Sequence, residues 1–519
     1  MKKIIYLFAC AALLISATGC EGFLEEEPKD RLTSGAYYQT EAQATANVNW
    51  LYWEGAVKRL GEASSAYIGP TASIPGMLTG YFVNSYEGQE IICMYSRQLT
   101  RQQYTATMTS TLNNMWDYSY RAINIANGAI KHIPDIAMSE AGKAKLLGEA
   151  KFFRALNYFY LVKSFGDVPM PVDPYESLEN LYLERTAAAT VYSLVEADLK
   201  EAVEALPAVL FSNGHRITRY AAAMLLSTVY FYQGKYAEAA QYSKIVVDSP
   251  HTLATNTDWA ENSAFNKLRT TDDLDEVIYA IEFDANIRKS SWWPTYSFNS
   301  GATAVFNKYA IFERVYGPVN LFLNVYAEDD LRIQPNQFFH WEYTNPQTGA
   351  EWKSEIPGCW YYFDEEAMLN TGNGTKDWNI FRYAEALLVA AESIAQTTGV
   401  TAEAAGYLAQ IKARADMKGK TAAQYTAELQ GLSKDAFIRE CWTERLREFP
   451  LEFKIWDDCV RTGKFPVISQ TQKGQVSYVD LIGAENASGA TFKDSDLLWP
   501  ISLDELQRNP KLTQNPGYK

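Results

Sequence analysis

Residues 219–250 read RYAAAMLLSTVYFYQGKYAEAAQYSKIVVDSP, and no other stretch of the 519-residue chain constrains the fold as tightly. Ala222, Leu225, Val229 and Tyr232 recur at helical spacing, Gly234 interrupts the run, and a second helix carrying Tyr236, Ala239, Ala240 and Ser243 ends at Pro250. Two helices that cross need small residues at the crossing and a turn between them, and both are present. One such pair cannot bury its own apolar face, so other pairs must stack on it.

Gly234, Tyr236 and Ala239 with the terminal Pro250 closely resemble a tetratricopeptide repeat. Candidates for stacked neighbours are visible on both sides. Leu146, Ala150, Phe153, Leu156 and Tyr160 define one helix face, and residues 186–206 form a helix ending at Leu206-Pro207. Phe381 to Gln396 and Thr401 to Asp416 make a second helix-turn-helix, with Gly399 in the turn and Thr401 as N-cap. Residues 433–448 open with Ser433 and Asp435, again a helix start. Helical repeats are thus expected around 110–250 and 380–460. Residues 68–105 and 251–378 differ in character: rich in Gly, Pro, Asn, Ser and aromatics, with only short strand-like pieces such as Val277 to Phe283. Irregular segments this long, carried on a rigid frame, are where binding sites usually lie.

The amino end has the layout of a secretory signal peptide, with Lys2 and Lys3 before an apolar run from Ile4 to Ile15. Ala17, Thr18 and Gly19 before Cys20 resemble a bacterial lipobox, although the usual Leu is Ala17. The expected division is a signal at 1–19, a lipidated tether at 20–40 and one domain over 41–519; the alternative is an ordinary signal-peptidase site with Cys20 a bystander. Glu21, Glu25, Glu26, Glu27 and Asp30 make the tether acidic and solvated. Over the whole chain 62 Asp plus Glu outnumber 47 Lys plus Arg, a formal charge of -15, which disfavours nucleic acid as a partner. Cys93, Cys359, Cys441 and Cys459 are widely spaced with no CxxC and no His at metal-ligand spacing, so they read as small buried hydrophobes.

No GxSxG elbow, Walker loop, GxGxxG turn or HExxH helix occurs, and His132, His215, His251 and His340 are scattered singly. Asp272-Asp273, Asp329-Asp330 and Glu365-Glu366 read by default as loop caps; calcium ligation or a glycosidase pair would need convergence that spacing does not supply. Glu440, Glu444 and Glu448 lie on one helix face among Arg439, Arg445 and Arg447, the pattern of an ion-pair network rather than of a catalytic carboxylate. No catalytic residue, metal site or cofactor is expected.

Several segments taken in order resemble the SusD/RagB family of outer-membrane lipoproteins: EAKFFRALNYFYLVKSFGDVP at 149–169, RYAEALLVAAES at 382–393, ERLREFPLEFKIWDDCVRTGK at 444–464, LWPIS at 498–502 and LTQNPGY at 512–518. Lys454 and Ile455 depart from the family's usual Arg before the Trp, and Pro450 after Phe449 should end or bend the helix there. The resemblance implies a mainly α fold, about four tetratricopeptide-type pairs in a right-handed superhelical scaffold, with a large irregular ligand-binding portion. It further implies capture of oligosaccharide, or of peptide in the RagB branch, at the cell surface, and a SusC-like TonB-dependent transporter as partner. Family ligand residues follow no fixed motif, so site residues are chosen by position.

Aromatic density supplies that choice. Trp292, Trp293 and Tyr296 fall together in SSWWPTYSFN, Trp341, Tyr343, Trp352, Trp360, Tyr361 and Tyr362 follow, and Tyr81, Tyr86, Tyr95 and Tyr104 mark the earlier segment. A Trp or Tyr plane can cover the CH face of a sugar while its polar tip stays wet. Trp292, Trp293 and Tyr296 are expected to stack, and Tyr86, Arg97, Arg101 and Asn299 to supply hydrogen bonds. The competing reading is that these rings fill a small core beneath the loops. Other readings of the chain are an oligopeptide binder of the same architecture, a surface glycosidase, or a helical scaffold without a small ligand.

Overall fold

The computed structural model describes residues 37–55, 63–65, 69–85, 91–101, 106–177, 181–284, 292–308 and 314–518. Cys20, Tyr86 and Tyr104 lie outside the described residues.

Eight helices pair into four hairpins along the chain. They are α1 (Glu41–Leu51) with α2 (Ala106–His132), α3 (Glu140–Phe165) with α4 (Ala188–Ala205), α5 (Arg219–Tyr232) with α6 (Tyr236–Val247), and α7 (Tyr383–Thr398) with α8 (Ala402–Ala415). Successive hairpins stack through α2 on α3, α4 on α5 and α6 on α7, so each pair covers the apolar face its neighbour cannot bury alone. Local chemistry fixes the helix starts: Thr40, Ser139, Thr218 and Thr401 each accept a hydrogen bond from a first-turn backbone N–H. Small residues set the crossings. A methyl on Gly148 would stand 3.1 Å from Leu206 Cγ, and Ser227 Oγ donates to the Ala239 carbonyl at 2.8 Å across the α5/α6 hairpin. Gly234, in the turn between them, has φ +72° and open space around it, so it is needed for its backbone conformation and not for room.

Helix α1 escapes the sequence reading, because its partner α2 begins more than fifty residues later. Its signal is the Thr40 cap followed by Ala44, Val48 and Leu51 on one buried stripe. Packing also starts before α1. The Tyr38 ring stacks on His132 at 4.8 Å, so the last residues assigned to a solvated tether already dock on the scaffold.

Two insertions interrupt the hairpin series, residues 52–105 inside the first pair and 248–382 between the third and fourth. Neither is wholly irregular, since helices occupy Ile74–Met77, Ile91–Arg97 and Ala264–Thr270. In the second insertion, β1 (Val277–Ile281) pairs antiparallel with β4 (Trp378–Arg382), which runs directly into α7. Residues 282–377 therefore leave and rejoin the scaffold through a two-stranded stem. Beyond the stem lies an antiparallel hairpin of β2 (His340–Thr344) and β3 (Glu351–Gly358), its turn held by Asn345 Oδ1 accepting from Gln347 N and Thr348 N.

Helices α9 (Lys434–Glu448) and α10 (Ile455–Thr462) add no fifth repeat; they cover the side of α5, α7 and α8. As Pro450 requires, α9 stops at Glu448. A further hairpin, β5 (Lys464–Ile468) with β6 (Val476–Asp480), precedes the C-terminal segment. The acidic face of α9 is buried. Glu448 meets Arg332, Arg382 and Arg414 at 3.1, 3.1 and 2.5 Å, Glu276 meets Arg382 and Arg414 at 2.5 and 2.6 Å, and Glu452 meets Arg382 at 2.6 Å. Burial alone would raise the Glu444 carboxyl, but Arg332, Lys412 and Arg447 overcome it and hold it down at about 2. These groups come from the stem, α8, α9 and the 330–332 turn, so the network fastens the long insertion to the fourth hairpin. Cys93, Cys359, Cys441 and Cys459 are all buried, and no disulfide joins them among the described residues.

Candidate functional site

Just beyond the stem, residues Trp293–Tyr296 form a tight 3₁₀ turn introduced by Trp292. The Trp292 carbonyl accepts from Thr295 N at 3.0 Å and from Thr295 Oγ1 at 2.7 Å, which fixes the backbone of the turn. The two tryptophans then part. Trp292 is 39% exposed, whereas Trp293 is 5% exposed and lies among Tyr362, Trp378 and Phe453 at ring separations of 4.3, 5.4 and 5.5 Å. Phe453 has φ +61°, a conformation costly for a bulky side chain by about 1–2 kcal/mol, and its ring lies near-parallel to that of Trp293. Tryptophan rings of this kind make a stiff floor beneath the turn.

Three of the expected ligand contacts are corrected by burial. Trp293 belongs to the floor and presents no face to a ligand. Tyr296 is 2% exposed, and burial pushes its phenol well above the ordinary tyrosine range. Arg101 is 1% exposed; its Nη2 donates to the Asp496 carbonyl and its guanidinium lies 4.5 Å from the Trp499 ring centroid, so it ties the first insertion to the C-terminal segment. Arg97 is half-buried and donates to Ser488 Oγ at 3.1 Å, again toward that segment. Asn299 is half-buried six residues after Trp293, and its Oδ1 has no hydrogen-bond partner among the described residues. Of the positions chosen from sequence that lie among the described residues, Trp292 is the one with an exposed ring, while the Asn299 Oδ1 is buried.

The later aromatics follow the competing reading. Trp352 and Trp360 join Phe298, Phe306 and Phe363 in a second small core, and Tyr361 and Tyr362 are buried against the main one. Tyr81 is buried too, its hydroxyl donating to the Pro466 carbonyl. The acid pairs are engaged structurally: Asp272 with Lys376, Asp329 with Lys418, Asp330 with Arg332, and Glu365 accepting from Tyr343.

The sequence and the fold both have relatives. The SusD family profile matches residues 302–518, and a second profile, described as starch-binding associating with outer membrane, matches residues 63–231. The chain belongs to the SusD/RagB family. It is similar to SusD-like protein P2 of Formosa agariphila, 24% identical across the full length of both chains, and to the starch-binding protein SusD of Bacteroides thetaiotaomicron, 22% identical over 74% of each. A crystal structure of a SusD superfamily protein from Parabacteroides distasonis superposes with a TM-score of 0.78 at 26% identity, covering 92% of this chain and 99% of that one. Within this SusD-like chain the motifs that carried the resemblance are interior: Arg445 and Arg461 both bond Asp458, and Arg461 also holds Glu392 at 2.7 Å. They specify the scaffold, not the ligand.

The neck of the insertion is electrostatically loaded. Asp377, immediately before β4, accepts from Phe283 N at 2.9 Å, and burial together with the nearby Asp272 raises its carboxyl to about 7. Lys376 opposes that rise, Glu282 adds to it, and His215 pairs with Glu282 at 2.5 Å. Between pH 4 and 7 the folded chain keeps a proton that the unfolded chain releases, so this group favours folding at low pH and loses that contribution as pH rises toward 7. Asp377→Asn keeps the acceptor and removes the charge. Its melting temperature should exceed that of the wild type by more at pH 8 than at pH 5; an equal difference at both would refute the assignment.

Proposed function

We propose that this SusD-like protein is a cell-surface binding protein for neutral oligosaccharide, which it captures on the Trp292 turn and passes to a SusC-like TonB-dependent transporter. The observation that carries this is Trp292 itself: a large ring, 39% exposed, on a turn whose next four residues are all buried. A tryptophan ring offers a large flat area with few rotatable bonds to order, which suits stacking on a sugar face. Names of relatives that include starch binding support the ligand class.

In this reading residues 1–19 are a signal, Cys20 carries the lipid, residues 20–40 lead to the scaffold, and 41–519 form one domain anchored at the outer membrane. The protein works by binding and releasing, with no catalysis. The test is equilibrium binding of the purified protein to a glycan array and to a peptide library. Saturable binding of one glycan class without shortening of the chain is the expected result. Preference for peptides would move the protein to the peptide-binding branch, and release of shortened products would make it a glycosidase.

A further inference from the structure

A second cleft, of about 510 Å³, opens on the scaffold side of the molecule and is built from elements that do not include the Trp292 turn. One wall is a single stripe of α2, where Trp116, Asp117, Tyr120, Arg121 and Asn124 recur at helical spacing. The facing wall is the segment after α3, carrying Tyr175, Leu181 and Tyr182. The end is closed by the short helix α11 (Leu503–Arg508).

Each wall is fixed by bonds that leave its rings in place. Tyr120 donates its hydroxyl to the Pro169 carbonyl at 2.7 Å, so its ring cannot swing out, and it packs against Trp116 at 5.1 Å. Asn124 Oδ1 accepts from Tyr175 N at 2.8 Å, and Asn509 donates to the Leu183 carbonyl at 2.8 Å, which ties the tyrosine-bearing segment to α2 on one side and to the C-terminus on the other. The result is an aromatic back of buried Trp116 and half-buried Tyr120, with two rings at the rim, Tyr175 and Tyr182, that are 43% and 50% exposed.

The polar groups are equally particular. Arg508 meets Glu505 at 2.6 Å and Asp117 at 3.8 Å, placing donors and acceptors side by side at one end. Two acids and two arginines, counting Arg121, leave the lining without net charge, which disfavours an ionic ligand. A volume in the range of small-molecule sites, about 300–1,000 Å³, flat rings on the rim and a neighbouring carboxylate and guanidinium fit a sugar, whose CH faces stack and whose adjacent hydroxyls both donate and accept.

We infer that this cleft is a second saccharide site, taking a short segment of neutral oligosaccharide independently of the Trp292 turn. The inference rests on the saccharide-binding reading above. A chain bound at both places would gain avidity from the tether between them, provided it spans the two.

The test uses the purified full chain with four probes, maltohexaose, cellohexaose, xylohexaose and mannohexaose, read by titration calorimetry and by hydrogen exchange. The best-binding probe should slow exchange in 169–183 and 503–512, and that protection should persist in Trp292→Ala. Tyr175→Ala and Tyr182→Ala, both at exposed rings that leave the fold intact, should each weaken the cleft event about tenfold. Protection confined to the Trp292 turn and abolished by Trp292→Ala would overturn this inference and leave the proposed function standing. Protection confined to the cleft and indifferent to Trp292→Ala would uphold the cleft and remove the Trp292 reading. Binding of none of the four, or protection of the cleft by a peptide library only, would overturn the inference.

Discussion

Replacing Arg382 with alanine should destabilise the protein by about 3–5 kcal/mol, measured as the shift in urea unfolding free energy at pH 7. Arg382 has no exposed side-chain surface and bonds Glu276, Glu448 and Glu452 at 2.5, 3.1 and 2.6 Å. Removing it leaves Glu452 without its nearest counter-charge and halves the positive charge around Glu276, in a place where water cannot substitute. Because β4 carries Arg382 and α9 carries Glu448, the loss should loosen the whole insertion from the fourth hairpin. Hydrogen exchange should therefore rise first in 277–281 and 378–382. Double replacement of Arg382 and Glu452 by uncharged residues should recover part of the loss, because the penalty comes from the unpaired charge. A loss under about 1 kcal/mol for Arg382→Ala would show that the network contributes little.

The adjacent tryptophans should separate binding from folding. Trp292→Ala is expected to leave the melting temperature within about 2 °C of wild type, since an exposed ring contributes little to stability, while weakening binding of the preferred glycan about tenfold or more. Trp293→Ala is expected to cost about 3–5 kcal/mol of stability through the cavity left among Tyr362, Trp378 and Phe453. Phe453, in its left-handed conformation, then loses the ring that offsets its strain. Equal effects of the two substitutions on stability would contradict the division of the pair into ligand face and floor. Undiminished glycan binding by a folded Trp292→Ala protein would remove Trp292 from the site.

The hairpin of α5 and α6 was legible because its signals are local: spacing, small residues, a turn glycine and a terminal proline. The same holds for α3, α4, α7 and α8, whose caps at Ser139 and Thr401 do what their side chains predict. Helix α1 was not legible as part of a repeat, since recognising a partner across more than fifty residues requires knowing what packs on what. Glu440, Glu444 and Glu448 among Arg439, Arg445 and Arg447 read as an ion network from spacing alone, yet the burial of Glu444 and Glu448 and the link to Glu276 and Arg382 arise only when distant segments meet.

The candidate site shows the limit most sharply. An aromatic cluster in an irregular segment says that rings will be close, because aromatic surface is expensive to leave in water. It does not say which ring faces outward, since Trp292 and Trp293 have the same chemistry and adjacent positions. That was settled by Tyr362, Trp378 and Phe453, which come from 69, 85 and 160 residues away and close over one side of the turn. By the same rule Arg101 and Tyr296 became interior. The cleft against α2 had no signal at all, because its lining comes from three separate stretches. The chain's own order thus determined the helical scaffold, whose contacts run between neighbours in sequence, while the tertiary structure decided the candidate binding surfaces, whose walls are assembled from segments that meet only after that scaffold has stacked.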